Sequence, residues 1–546
     1  MQKYKSSWSN IGALFLIGCF VGLFESTTPS TLAQVPPSLS ASQALQNTRW
    51  EATFTSTKAY ANAFLDVTLR VQYTGPNGQR IDGYGFWDGG SAFKIRMAFP
   101  EPGPWRYRTT ASDATNSGLH QQEGVVDVLP YTGDNPLYQH GFLRVSADRR
   151  YLEHANGTPF VWLGDTLWGA TVWLSEQGFH QAIDARRAQQ FTVLQTNFAR
   201  KAEVDTNGDN PWQGDRWNVD FMRKMDRMFN YTNDAGMYLF VNGLIDLKWD
   251  RAIGPWQRLV QMIAARYFAH YISFASSMDD PYAAEHDAIN EALDQVTTRH
   301  LLTQHPGSAR DGRGNVGTAL DYYDKAYMDY VMGGTGVEGD LEASCRNIIE
   351  WSLRLYNHVP HKPTLNGEAW YEGVRGGIAE IMAHLAYVSM LSGNFGYSHG
   401  TALWNAKDAD LPIWKAYEGA MYMKNLYNFF TTLDDGRPLV PRHELVMNQP
   451  MPYQDKMVVG VSTDGSTYAA FLPHGGKIML DLSELPSIAS VKWYNTRTAA
   501  YAGLGTTLGS AIRTFTSPFG TEQAVLVINA ATPTTETMPS YGAKRQ

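Results

Sequence analysis

The densest chemistry in the chain lies in Asn366-Gly367-Glu368-Ala369-Trp370-Tyr371-Glu372. Pro363 to Leu365 reads as a short buried strand that Asn366-Gly367 ends, and a carboxylate, aromatics and a second carboxylate come directly after it. Burying a carboxylate without a partner is costly. Glu368 is therefore either paired with a cation (Arg375 is near in sequence) or placed where its charge is used. Similar groups come after other short apolar runs: Asp165 and Trp168 after Phe160–Leu163, Asn197 after Thr192–Thr196, Asn242 after Tyr238–Val241. Asp279 and Asp280 come after Tyr271–Phe274, His305 after Leu301–Gln304, and His399 and then Trp404 after Phe395–Tyr397. Carboxyl groups protonate a leaving oxygen, activate water or attack carbon; amides and imidazoles bond hydroxyls; indole and phenol faces stack on sugar C–H groups. Each also has a structural alternative. Asp165 can cap the next helix, Asp279-Asp280-Pro281 can be a turn and cap, His305 a satisfied loop histidine, and Trp168 and Trp404 plain packing.

The elements that carry these residues alternate in type. Between residues 141 and 435 the apolar runs above, with Tyr330–Met332 and Pro363–Leu365, make eight strands. Helix-period segments lie between them: Glu176–Gln190, Val219–Ala235, Pro255–Ala269, Ala284–Arg299, Leu341–Tyr356 and Val374–Met390, with Pro412–Thr432 after the last. Eight strand–helix units over this length indicate a (β/α)8 TIM barrel, an α/β fold whose reacting groups come from the C-terminal strand ends. On either side the period is two, with Gly, Pro and Asn turns. A β-sandwich is expected over 47–130, a second over 437–531, a flexible leader over 34–46 and a disordered tail over 532–546.

Composition limits the partners. The chain has 546 residues, 43% hydrophobic and 13% aromatic, with a net charge of -8 and no basic footprint for nucleic acid. Lys3 and Lys5 precede the apolar run Ile11–Phe24, which is too short to span a membrane, and Thr31-Leu32-Ala33 fits a cleavage site. Residues 1–33 read as an export signal, giving a secreted or periplasmic monomer that starts at Gln34; lipid attachment at Cys19 is the rival reading. The mature chain then keeps only Cys345, placed in a helical pattern as a core thiol. No metal or cofactor is expected. H-E-x-x-H, a serine elbow and a dinucleotide fingerprint are absent. The calcium-like Asp205-Thr206-Asn207-Gly208-Asp209 has Asn210 and Arg216 where Gly and Glu are needed.

Gly141-Phe142-Leu143-Arg144-Val145, Thr158–Trp168, Asn366–Glu372, Gly396–Gly400 and Leu403-Trp404-Asn405 resemble the apiosidase-like glycoside hydrolases over the whole barrel. Gly83–Asp88 and Gly103–Tyr107 resemble the β-domain that precedes such barrels, and the last domain resembles one labelled collagen-binding in collagenases. The resemblance implies hydrolysis of glycosidic bonds by an Asp after strand four and a Glu after strand seven, here Asp279 and Glu368. Ser276-Ser277-Met278-Asp279-Asp280 departs from the family's strand-four ending, so Asp280 competes with Asp279, and the family's characterised substrate type, apiose in a pectin side chain, is not carried over. The expectation is a carbohydrate-cleaving enzyme with Asp165, Trp168, Asn197, Asn242, His305, Tyr371, His399 and Trp404 around the sugar. An inactive carbohydrate-binding or adhesion protein on the same fold is the alternative; a protease has only the last domain's label behind it.

Overall fold

The computed structural model describes residues 42–198, 205–213, 216–244, 256–277, 282–307, 314–334, 336, 338–485 and 488–530. The expected export signal, Cys19 of the rival lipid-attachment reading and the expected disordered tail lie outside these. From Ser42 onward the chain forms one compact unit.

At its centre are eight parallel strands: β1 Trp162–Thr166, β2 Val193–Asn197, β3 Tyr238–Asn242, β4 Ile272–Ala275, β5 Leu302–Thr303, β6 Val331–Gly334, β7 Thr364–Glu368 and β8 Gly396–His399. They pair in the order β5-β4-β3-β2-β1-β8-β7-β6. Asp329 N donates to Leu302 O at 2.9 Å across the seam, and Thr303 Oγ1 donates to Tyr330 O at 2.7 Å, so the two end strands meet and the sheet closes as a TIM barrel. The helices are α1 Glu176–Ala188, α2 Val219–Asp234, α3 Trp256–Arg266, α4 Ala284–Asp294, α5 Gly314–Tyr323, α6 Leu341–Tyr356, α7 Ala379–Leu391 and α8 Gly419–Phe430.

Side chains alternate across each strand. Trp162, Val193, Tyr238, Phe240, Tyr271, Tyr330, Met332 and Leu365 fill the lumen, joined by Phe395 from just before β8, outside its alternation. Leu163, Leu194, Leu239, Val241, Phe274 and Tyr397 face the helices. This parity decides which polar residues reach the mouth.

The flanking domains are antiparallel and β-rich. In the first, seven strands pair in the order Gln43–Leu45, Glu123–Leu129, Gly103–Ala111, Leu69–Thr74, Arg80–Trp87, Ala92–Ala98, Arg49–Thr55. Gln43–Leu45 falls in the expected leader. It is held because it pairs in parallel with Asp127–Leu129. A buried ionic cluster ties this domain to the barrel: Arg96 on Asp226 at 2.6 Å, and Arg266 on Asp226 at 2.8 Å and Asp88 at 3.1 Å. The last domain pairs six strands and a separate two-stranded ribbon, and it covers α7. Tyr387 of α7 stacks on Phe471 at 5.3 Å, and α7 is buried almost all round because it is apolar on both the barrel side and the sheet side.

Three further differences from the sequence expectation have local causes. α5, unforeseen, completes the fifth unit. The helix expected from Val374 begins at Ala379, because Gly373, Arg375 and Gly376 hold positive φ in the preceding turn. The helix expected over 412–432 is two, Leu411–Lys415 and α8, broken where Gly419 N meets Glu372.

Candidate active site

Strand β7 does not deliver Glu368 by simple alternation. Leu365 points into the lumen, which would send Glu368 outward. The β6–β7 register instead steps from Gly333↔Asn366 to Gly334↔Glu368, so Gly367 is an extra residue, a bulge that re-aims the carboxylate next to it. Only glycine fits there: a Cβ would lie 2.4 Å from Met332 Cγ and 2.6 Å from its sulfur. From below, Gln195 Nε2 donates to Gly367 O at 2.9 Å, and Gln195 is itself held by Ser398 and by Trp162 Nε1 at 3.3 Å.

So aimed, the Glu368 carboxylate keeps a quarter of its surface exposed and meets partners on both oxygens. Tyr371 Oη donates to Oε1. His305 Nε2 lies 3.2 Å from Oε2. Trp168 Nε1 donates to Tyr371 Oη at 2.7 Å, and its ring meets that of His305 edge-on at 5.1 Å. Glu368, Tyr371, His305 and Trp168 therefore form one contiguous group at the mouth.

Asn197 and Asn242 stand opposite each other in register at the ends of β2 and β3, with the lumen-facing parity of Val193, Gln195 and of Tyr238, Phe240. Both are fully buried, and neither amide has a hydrogen-bond partner among the described residues. Buried polar groups are ordinarily paired; these two adjacent amides have no partner among the described residues. Trp404 is half-buried and packs against the lumen cluster that includes Trp168.

The end of β4 is bound to the end of β5. Ser277 Oγ donates to Gln304 Oε1 at 2.7 Å and accepts from His305 N at 3.1 Å, and Ser276 Oγ donates to His286 O at 2.8 Å. Asp279 and Asp280 lie outside the described residues.

Asp165 and His399 do not reach the mouth. They sit opposite each other in the β1–β8 register, with the outward parity of Leu163 and Tyr397. Asp165 Oδ1 lies 2.9 Å from Arg186 Nε of α1, both side chains being almost wholly enclosed. The Arg186 guanidinium lies 3.7 Å from the ring centre of Trp414. Burial raises the Asp165 carboxyl against the opposing pull of Arg186. Burial also pushes His399 down to about 3, so it stays neutral; its Nε2 lies 3.5 Å from Glu372 Oε2. Glu372 accepts from Gly419 N at 3.0 Å, and burial raises its carboxyl. These residues form a strut between barrel and helices, where a sugar has no access. Residue type alone does not carry the one-residue parity that separates them from Gly164 and Ser398, and no motif points to the supporting roles of Gln195 and Ser398.

Elsewhere, Cys345 is a buried free thiol on α6, 3.6 Å from His384 Nε2, and burial raises it to about 12, far from a nucleophile's range. The Asp205 carboxylate is taken by Lys224 at 3.0 Å and by the backbone of Asn207 and Asp209. Among the described residues no cluster of three or more His, Cys, Asp or Glu could hold a metal ion, and no helix is long and apolar enough to cross a membrane.

The family model described as apiosidase-like, catalytic domain, matches residues 146–434, just over half of the chain. A domain of unknown function matches 46–112, and a model named for a collagen-binding domain of a collagenase matches 440–529. Among solved structures, a glycoside hydrolase family 5 protein from Bacteroides vulgatus is similar at 19% identity and a TM-score of 0.62, covering 72% of this chain and 94% of that one. A second glycoside hydrolase structure from the same organism is similar at 16% identity and a TM-score of 0.66, covering 90% of this chain and 100% of that one. At such identities these likenesses speak for the fold. No curated protein matches the sequence.

Proposed function

The chain belongs to the apiosidase-like family, and we propose that it hydrolyses glycosidic bonds of a polysaccharide or glycoconjugate outside the cytoplasm, with Glu368 and Asp279 as its catalytic carboxyl pair. The observation that carries this reading is the carboxylate of Glu368, aimed by a bulge into a barrel mouth that also holds the unpartnered amides of Asn197 and Asn242. A sugar hydroxyl both donates and accepts, as an amide does, so adjacent hydroxyls of one ring suit two adjacent amides. His305 and the half-buried Trp404 would add a hydroxyl contact and a stacking face.

The second carboxyl is supported by chain reach. Ser277 is bonded to the His305 backbone, and the His305 ring touches Glu368. Asp279 is two residues beyond Ser277, a span of at most about 7 Å. A glycosidase needs one carboxyl to protonate the leaving oxygen and another to act as nucleophile or base, about 5–5.5 Å away for retention and about 6.5–9.5 Å for inversion.

The test is turnover of an aryl-glycoside panel and of plant and microbial glycans by the intact protein and by Glu368→Gln, Asp279→Asn and Asp280→Asn. Loss of several orders of magnitude in the first two, with Asp280→Asn active, is expected. Glycan binding without turnover at high enzyme concentration would replace the enzyme with an adhesion protein; loss only in Asp280→Asn would move the second carboxyl by one residue.

A further inference from the structure

Tyr371 is expected from its motif to contact the sugar, but the geometry commits its hydroxyl elsewhere. An indole N–H can only donate, so the bond from Trp168 Nε1, at 2.7 Å, must be accepted by the Tyr371 oxygen. That leaves the phenol's own proton for the neighbour on its other side, Oε1 of Glu368. The indole fixes the first direction; the second is the one a carboxylate, with no proton of its own, requires of the phenol. Burial, reinforced by the nearby Glu368 charge, holds the phenol well above its ordinary value, so it remains a donor.

The loop itself is built to hold this arrangement. Tyr371 lies three residues past Glu368, and the next residue, Glu372, is bonded to Gly419 N at the start of α8. Glu372 N donates to Gly400 O at 2.9 Å. A Cβ on Gly400 would lie 2.3 Å from the Tyr371 ring, so glycine there lets the phenol lie flat against the end of β8. Tyr371 is 6% exposed and Trp168 7%, which leaves the pair little freedom to turn toward a ligand.

We infer that Tyr371, oriented by the Trp168 indole, is a positioning residue that fixes Glu368 in its productive rotamer and keeps Oε1 an acceptor. The inference rests on the glycosidase reading above.

The experiment compares the full chain with Tyr371→Phe, Trp168→Phe and Glu368→Gln on aryl glycosides with good and poor leaving groups, across pH. Tyr371→Phe removes one hydrogen bond to a charged group. It is expected to lower kcat roughly 10- to 100-fold with KM within about twofold, and to move the acidic limb of the kcat/KM profile to higher pH, since a carboxylate that loses a donor is easier to protonate. Trp168→Phe, which leaves the phenol in place, should move both readouts the same way by less, and it serves if Tyr371→Phe does not fold. The loss should be equal for good and poor leaving groups. A raised KM at unchanged kcat would make Tyr371 a sugar contact and overturn the inference. So would a kcat loss without a shifted acidic limb, or a loss confined to poor leaving groups, which would make Glu368 the proton donor. Near-normal turnover by Glu368→Gln would overturn the glycosidase assignment beneath it, and is told apart by being independent of Tyr371.

Discussion

Replacing Asp165 by Asn separates a strut from a sugar ligand. The Asp165–Arg186 pair is enclosed, with side-chain exposures of 2% and 1% and a separation of 2.9 Å. Burial raises the Asp165 carboxyl and Arg186 pulls it down, so each group is tolerable only beside the other. Removing one member of such a pair typically costs about 3–5 kcal/mol, because the remaining charge is stranded. Here part of the loss is offset: Arg186 Nη1 keeps Gln189 at 2.8 Å, and its guanidinium keeps the Trp414 face. The expected loss in Asp165→Asn is therefore at the low end, about 3 kcal/mol, a large share of an ordinary folding stability of about 5–15 kcal/mol. Urea unfolding measures it, and KM on a turned-over glycoside at low temperature should stay within about twofold. The double variant Asp165→Asn/Arg186→Met should recover most of the stability, since an apolar replacement of a buried pair is often close to neutral. Unchanged unfolding together with a KM raised tenfold or more would refute the strut and restore Asp165 to the sugar site.

The remaining expectations are read from other parts of the same barrel. Asn197→Ala and Asn242→Ala should leave unfolding unchanged or slightly improved, because each removes buried polar atoms without partners among the described residues, while KM rises about tenfold; a stability loss above about 2 kcal/mol would show that the amides pair within the protein. Gly367→Ala should cost roughly 1–3 kcal/mol against Met332 and lower kcat by about 100-fold by misdirecting Glu368, with a small change in KM; normal kcat would show that the bulge does not aim the carboxylate. His154 and His300 are lowered by burial to about 4, and His384 and His399 to about 3. Above pH 6.5 both folded and unfolded chains carry them neutral. Below it the unfolded chain binds protons that the folded one refuses, so stability should fall by about 1.4 kcal/mol per histidine per pH unit until about pH 3–4, where the loss levels off. Urea unfolding that is equally stable at pH 7 and pH 5 would mean that these rings are protonated in the fold.

The barrel was legible in the chain because lumen and helix layer are both apolar, so each strand is a short unbroken hydrophobic run between helix-period segments. The strand starts came out within two residues; the C-terminal ends came out short, except that of β5, which came out one residue long. Thr364–Glu368, for example, reads as ending at Leu365 because Asn366, Gly367 and Glu368 look like the end of a strand by composition. The missing fifth helix has a similar cause. Gly314–Tyr323 opens with two glycines in five residues, Gly314 and Gly317, and carries little charge contrast between its faces.

The candidate site was legible by residue type but not by direction, and direction is a matter of counting. With Trp162 in the lumen, Gly164 shares its face and Asp165 does not; across the register Gly396 and Ser398 share that face, and Tyr397 and His399 turn away. The same count from Val193 and Tyr238 brings Asn197 and Asn242 inward. A polar residue at a strand end is thus a mouth residue only if it lies an even number of positions from a lumen residue, unless a bulge intervenes. Glu368, the proposed catalytic carboxylate, is the exception. It lies three positions from Leu365 and would face the helices but for Gly367, and the sequence does mark that position, with a glycine between a strand and a carboxylate. A strand-end glycine directly before an acid is therefore a stronger pointer to a working carboxylate than the acid alone. It signals that the regular alternation has been broken by one residue, and a break of one residue is what turns a charge from the helix layer to the mouth.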